Sequence, residues 1–302
     1  MSRFLHIDLD GAWDHRVVQD AAPGMEYLDA RHWGPQLRYC STRKIVERFY
    51  RELQERLTKF TLFGSGDFHH LSALWLRKID EPFTLISFDN HPDWDTRPPH
   101  WCCGTWISRA LKMANLEQAY IWGCGNFELN WPHRIFANYR GIRAGRLHAR
   151  PWGERLNRAS LPHWRHMARE NWREMFAAFA EGLAGQKVYI TVDMDCLAST
   201  EAVTNWESGL FTAQDVAWAL SEINATAEII GGDVCGAYSP LNYARFFQKM
   251  FGKNDHPAQR QIALEKAQEI NLRAFRTIWP QLTQATPAPV EAPVAIPVKA
   301  GL

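Results

Sequence analysis

Phe88-Asp89-Asn90-His91-Pro92-Asp93-Trp94-Asp95 stands directly after Phe83-Thr84-Leu85-Ile86-Ser87, a short apolar run of β-prone residues. The run reads as a buried strand. The chain then turns polar at once, and Pro98-Pro99 ends any regular element. In a parallel α/β sheet, ligands bind beyond the carboxyl ends of the strands. Asp89, His91 and Asp93 alternate with Asn90 and Pro92, so extended chain would place their side chains on one side. Carboxylates and an imidazole gathered there call for a cation. The competing reading is an acidic loop capping the next helix; a metal site is the stronger one if partners occur elsewhere.

Partners for a cation occur elsewhere. Residues 4–9 alternate as a first strand and run into Asp8, Asp10 and Asp14. Thr61-Leu62-Phe63 is a second short strand, followed by Gly64-Ser65-Gly66-Asp67-Phe68-His69-His70. That glycine-rich turn lacks the lysine and spacing of a phosphate loop. Residues 187–192 form a further strand with Asp193-Met194-Asp195 at its end, and residues 226–230 form a last one before Gly231-Gly232-Asp233. His69 or His70, the Asp89/His91/Asp93 set and the Asp193/Asp195 pair therefore fall at successive strand ends. A lone histidine is more often a cap or core residue. Three such pieces at one rim point to a metal site.

Helices alternate with these strands. Ser41 or Thr42 caps a helix with Ile45, Phe49, Leu53 and Leu57 on its apolar face. Residues 104–114, 163–183, 211–223 and 258–278 also read as helical, whereas 15–40 and 127–162 show no clean period. The βαβ alternation implies an α/β fold: a mainly parallel sheet between two helical layers, in one domain over residues 1–282. Residues 283–302, with four prolines, read as a disordered Pro/Ala-rich tail.

Composition agrees with a globular protein: 302 residues, 46% hydrophobic, 22% charged. A formal net charge of +1 gives no general attraction to nucleic acid or anionic membrane. No 18-residue apolar run and no signal-peptide core are present, so a cytoplasmic protein acting on a small molecule is expected; the oligomeric state is open. The six cysteines form no CxxC pair and no expected disulfide framework.

In the order of its motifs, the chain resembles the ureohydrolase superfamily of arginases, agmatinases and formimidoylglutamases. The resemblance covers about residues 60–240, with the best agreement at Phe88–Asp93 and Thr191–Asp195. It implies a three-layer α/β/α sandwich carrying two Mn²⁺ ions that hydrolyse a C–N bond of a guanidine or amidine. His69, Asp89, Asp93 and Asp193 would hold one ion. Asp89, His91, Asp193 and Asp195 would hold the other, with Asp89 and Asp193 shared. Oxygen and imidazole donors suit Mn²⁺, with Zn²⁺ or Fe²⁺ as alternatives.

The chain departs from the family in four places. Ala198-Ser199 stand where the family follows its aspartate pair with Asp-Pro. Phe68 separates Asp67 from His69, where the family has Gly-Gly-Asp-His. A His-Gly-Thr segment appears as Cys103-Gly104-Thr105, leaving Cys103 or His100 as the proton carrier. The Glu of the family's Asp-x-x-Glu segment is missing from Asp233-Val234-Cys235-Gly236-Ala237, although a guanidinium wants a bidentate carboxylate. Asp8, Asp10 and Asp14 are the candidate replacements for binding substrate, with Glu207 in reserve. A single-metal deacetylase and a non-catalytic metal-binding protein are the rival readings.

Overall fold

The computed structural model describes residues 3–99, 101–257 and 262–284. Eight strands form one all-parallel sheet. They are β1 (Phe4–Asp8), β2 (Glu26–Asp29), β3 (Phe60–Phe63), β4 (Phe83–Phe88), β5 (Leu116–Trp122), β6 (Leu147–Arg150), β7 (Lys187–Asp193) and β8 (Glu228–Cys235). Their order across the sheet is β2-β1-β3-β8-β7-β4-β5-β6.

The strands alternate between two cores. In β4, Phe83 and Leu85 enter one apolar cluster, while Ile86 and Phe88 enter the other. Every residue of β4 is buried. That is why the run is continuously apolar rather than alternating with charge. One face is covered by helices Trp172–Glu181, Ala213–Thr226 and Leu264–Thr283, the other by Arg43–Leu53 and shorter helices. The architecture is the expected α/β/α sandwich.

Local chemistry sets the best-defined helix. The Thr212 hydroxyl accepts from Asp215 N, and the Asp215 carboxylate accepts from Thr212 N, each at 3.0 Å. This closes both ends of a capping box. Val216, Ala219, Leu220 and Ile223 then recur at helical spacing on the buried face.

Several elements differ from their sequence reading. The aperiodic stretch 15–40 contains helix His15–Ala21 and edge strand β2, whose half-exposed residues leave no apolar signature. Strand β6 lies within the irregular 127–162 region. The helix expected over 163–183 is regular only from Trp172 to Glu181. Helix Phe246–Asp255 was not anticipated. The predicted tail starts inside an ordered element: Thr283 is buried and ends helix Leu264–Thr283, because its side chain packs and hydrogen-bonds back to Trp279 O. Residues 285–302 lie outside the described residues. No described helix is long and apolar enough to cross a membrane, and all six cysteines are free thiols.

Candidate metal centre

The four central strands, β3-β8-β7-β4, bring their carboxyl ends side by side. The segment after β3 carries His69, β7 ends in Asp193, and the loop after β4 begins with Asp89. This is how residues about a hundred positions apart in the chain meet at one rim.

His69 resolves the choice between the two histidines. Its Nδ1 lies 3.1 Å from Asp89 Oδ2, 3.1 Å from Asp93 Oδ2 and 3.4 Å from Asp193 Oδ2. Its Nε2 is 2.8 Å from Thr191 Oγ1, and the Thr191 hydroxyl donates to Asp233 Oδ1 at 2.6 Å. With the threonine proton directed to Asp233, Nε2–H donates to the hydroxyl oxygen. Nδ1 faces three carboxylates: it carries a proton in the ion-free protein and would turn a lone pair towards a bound cation. Metal-bound histidines are oriented by this kind of relay. His70 makes no ion pair with these carboxylates among the described residues, and burial pushes its pKa down to about 3.

The acidic loop does not run as extended chain. Asp93 adopts a left-handed φ of 47°, a conformation aspartate tolerates better than most residues. The turn points its Oδ2 back to His69, where it also accepts from Trp106 Nε1 at 2.7 Å. His91 N donates to Asp89 Oδ1 at 2.6 Å, and His91 Nδ1 lies 2.8 Å from Asp195 Oδ2. The donors thus fall in the groups His69/Asp89/Asp93 and Asp89/His91/Asp195, with ligating atoms within 4.8 Å of one another in each, and His69 and Asp193 form a third group with Cys235. Asp193 stands beside the first, its Oδ1 accepting from Asp195 N at 3.0 Å.

All four carboxylates and His69 are buried. Burial, reinforced by Asp89, pushes Asp93 up to about 7, and burial raises Asp195 to about 6. Asp89 goes the other way: burial opposes its charge, but His69 and His91 outweigh it and bring it to about 2. Burial also opposes a charge on His69, yet Asp89 and Asp93 overcome it and raise its pKa well above the usual value. Packed without a cation, these groups can lower their repulsion only by taking up protons. The chemistry of the set fits divalent ions. His69 Nδ1 fits them too, since it is buried and makes no hydrogen bond of ordinary geometry.

A cavity of about 480 Å³ opens over the cluster. Asp89, His91, Asp93, Asp193 and Asp195 line it together with Tyr39, Trp206 and Phe251. Cys103 lies on its wall, but its hydrogen bond to Cys102 and burial raise its thiol well above the ordinary value. His100 lies outside the described residues.

The acidic end of β1 does not reach the cavity. Asp8 accepts from Tyr27 Oη at 2.9 Å and Arg31 Nε at 2.7 Å. Asp10 accepts from buried Arg38 at 2.7 Å, and Asp14 caps helix His15–Ala21 through Arg16 N. Each carboxylate is already used by the fold, and none of the three lines the cavity.

Two other glutamates do line it. Glu207 Oε2 is 3.2 Å from His91 Nε2, and half-buried Glu128 is pushed up by burial to about 7. Glu128 was missed. It lies in an irregular stretch whose only signal is the Asn126 cap before it.

The family model for the arginase family matches residues 36–245. The chain belongs to the arginase family. An uncharacterized protein of Thermotoga maritima is 28% identical over 183 residues, 61% of this chain and 60% of that relative. The match thus spans less than two thirds of the relative's length. Among solved structures, proclavaminate amidino hydrolase from Streptomyces clavuligerus superposes with a TM-score of 0.54 at 14% identity, covering 95% of this chain and 93% of that one. A triple mutant of a T. brucei arginase-like protein bound with Mn²⁺ gives 0.51 at 12% identity, covering 94% and 91%. At these identities the likeness establishes the arginase-like fold.

Proposed function

We propose that this arginase-family protein hydrolyses a C–N bond outside peptides, using a pair of divalent ions. The observation that carries the reading is the donor set: two imidazoles and three carboxylates in two groups sharing Asp89, with Asp193 as a fourth carboxylate beside His69, beneath a cavity of metabolite size. His69, Asp89, Asp93 and Asp193 would hold one ion; Asp89, His91 and Asp195 would hold the other. Manganese is the first expectation and zinc or ferrous iron the alternatives. A bound pair would supply Lewis acidity and activated water.

The chain's own residues do the rest. His91 is fixed between Asp195 and Glu207, which orients its ring. Glu128 takes the role expected of His100 or Cys103. It lines the cavity, and its Oε1 would lie 4.0 Å from a Cβ placed on Gly104, beside the Cys103-Gly104-Thr105 segment. Burial holds the Glu128 carboxyl towards its protonated form, so it can give a proton to the leaving nitrogen and recover it from water.

Guanidine recognition through the turn after β8 is closed. Gly236 has φ +99°, and a Cβ there would overlap the Asp193 carboxylate. Arginine and agmatine should therefore be poor substrates, and amides or amidines better ones.

Metal analysis of purified protein, then ammonia- and urea-release screening of guanidines, amidines and amides, tests the reading. The expected result is about two divalent ions per chain and ammonia release from an amide or amidine. Glu128→Gln should lower kcat roughly 100-fold without changing metal content. Metal-loaded protein that is inert across the panel would leave a metal-binding protein without this chemistry.

A further inference from the structure

We propose that Cys235 is a further metal donor, a thiolate ligand to the ion held by His69 and Asp193, which makes the two metal positions chemically unequal. The inference rests on the metal-centre reading above and adds a residue to it.

Cys235 closes β8 directly across from Asp193 on β7, in register. Its side chain is fully buried, with Sγ 3.5 Å from Asp193 Oδ2. The ligating atoms of His69, Asp193 and Cys235 all lie within 4.8 Å of one another. With Asp89 and Asp93 also on this ion, Cys235 would be a fifth donor; donors on one ion at ordinary bond lengths and angles of about 90–110° lie roughly 3.0–3.6 Å apart. The separations here are 3.5 Å for Cys235 to Asp193 and 3.4 Å for His69 Nδ1 to Asp193.

A thiol merely donating to Asp193 would explain the sulfur–oxygen contact alone. It would not explain why the sulfur and the His69 Nδ1 meet on one carboxylate oxygen, Asp193 Oδ2, at 3.5 and 3.4 Å. Among the described residues Cys235 is the only cysteine in such a donor group; Cys124 faces the His91 carbonyl at 3.8 Å. On binding, the thiol gives up its proton and the sulfur lone pair makes the bond to the ion. A thiolate favours zinc or ferrous iron over manganese. The Asp89/His91/Asp195 group contains only oxygen and nitrogen donors and keeps a preference for manganese. The centre would then hold one soft and one hard ion.

Cobalt(II) is the probe. Cobalt-loaded protein should show a thiolate-to-cobalt charge-transfer band in the near ultraviolet. Cys235→Ser should abolish the band while bound cobalt, counted by elemental analysis, stays at about two per chain. In competition with a chromophoric chelator, the same variant should lose at least about tenfold in zinc affinity and stay within about twofold for manganese. Cobalt bound without the band, or a band that survives Cys235→Ser, overturns the role of Cys235 and leaves the metal centre standing. No retained cobalt in the unaltered protein overturns both. Should Cys235→Ser fail to fold, zinc-edge X-ray absorption of the unaltered protein decides the question. A sulfur scatterer at about 2.3 Å supports the proposal, and a shell of nitrogen and oxygen alone overturns it.

Discussion

Asp89 is the carboxylate common to both donor groups, whereas Asp195 belongs to one. Asparagine keeps the shape of either and removes a single charge. Asp89→Asn should therefore bring metal content below about one ion per chain, and Asp195→Asn should leave about one. Elemental analysis after dialysis reads the difference; two ions retained by Asp89→Asn would refute the sharing. At this scale the sequence was legible where chemistry and spacing coincide. Asp89, His91, Asp93, Asp193 and Asp195 could be named because each stands at the end of an apolar run. His69 could not be separated from His70, since the choice depends on which ring the turn after β3 aims at Thr191. Asp8, Asp10 and Asp14 read about evenly as substrate carboxylates or as caps, because the Tyr27, Arg31 and Arg38 side chains that pair with Asp8 and Asp10 are distant in sequence, while Asp14 caps the helix it precedes. Glu128 carried no signal, because its role depends on a wall built from several loops.

The turn after β8 and helix Phe246–Asp255 are the elements that most constrain the centre. Gly236→Ala would put a methyl group into Asp193 and force a side chain onto φ +99°. It should cost more than about 2 kcal/mol in urea unfolding and reduce metal content with it. Helix Phe246–Asp255 is tied at its end by His256 to the segment that follows β3. The ring's Nδ1 lies 2.6 Å from Gly252 O and its Nε2 lies 2.7 Å from Asp67 Oδ1. Two acceptors on one imidazole require both nitrogens to donate, so His256 is held as the cation. Burial opposes that charge, and Asp67 overcomes the opposition and raises the pKa above its usual 6.5. A raised histidine pKa stabilises the fold fully below the unfolded value and loses that contribution as pH climbs through the folded one. Metal-free protein should accordingly lose stability from pH 6 to pH 9, and His256→Gln should flatten the slope. An unchanged slope in the variant would remove His256 as its source. Elements with a strong apolar face, such as Ala213–Thr226, were readable in the sequence. The edge strands were not, because a half-exposed strand of four residues has too few buried positions to set a period.

For the molecule as a whole, a parallel sheet between helices was legible from the alternation of strand and helix. The order of strands was not, since pairing partners are chosen by contacts across the whole chain. That order has a consequence for how the protein is made. β2, β1 and β3 form one ledge, and β7, β4, β5 and β6 form another. β8, the last described strand to be synthesised, is the keystone between them. Before residues 228–235 leave the ribosome, the ledge bearing His69 has no neighbour against which to close, and the ledge bearing the aspartates has an open edge. Both are long-range pairings, the slow kind, and both expose apolar strand to other chains meanwhile. A chain stopped at residue 226 should show no single cooperative unfolding transition and should bind trigger-type chaperones. Release of the next few dozen residues should end that binding within one translation event, so that the centre is assembled by the arrival of a strand rather than by the encounter with metal.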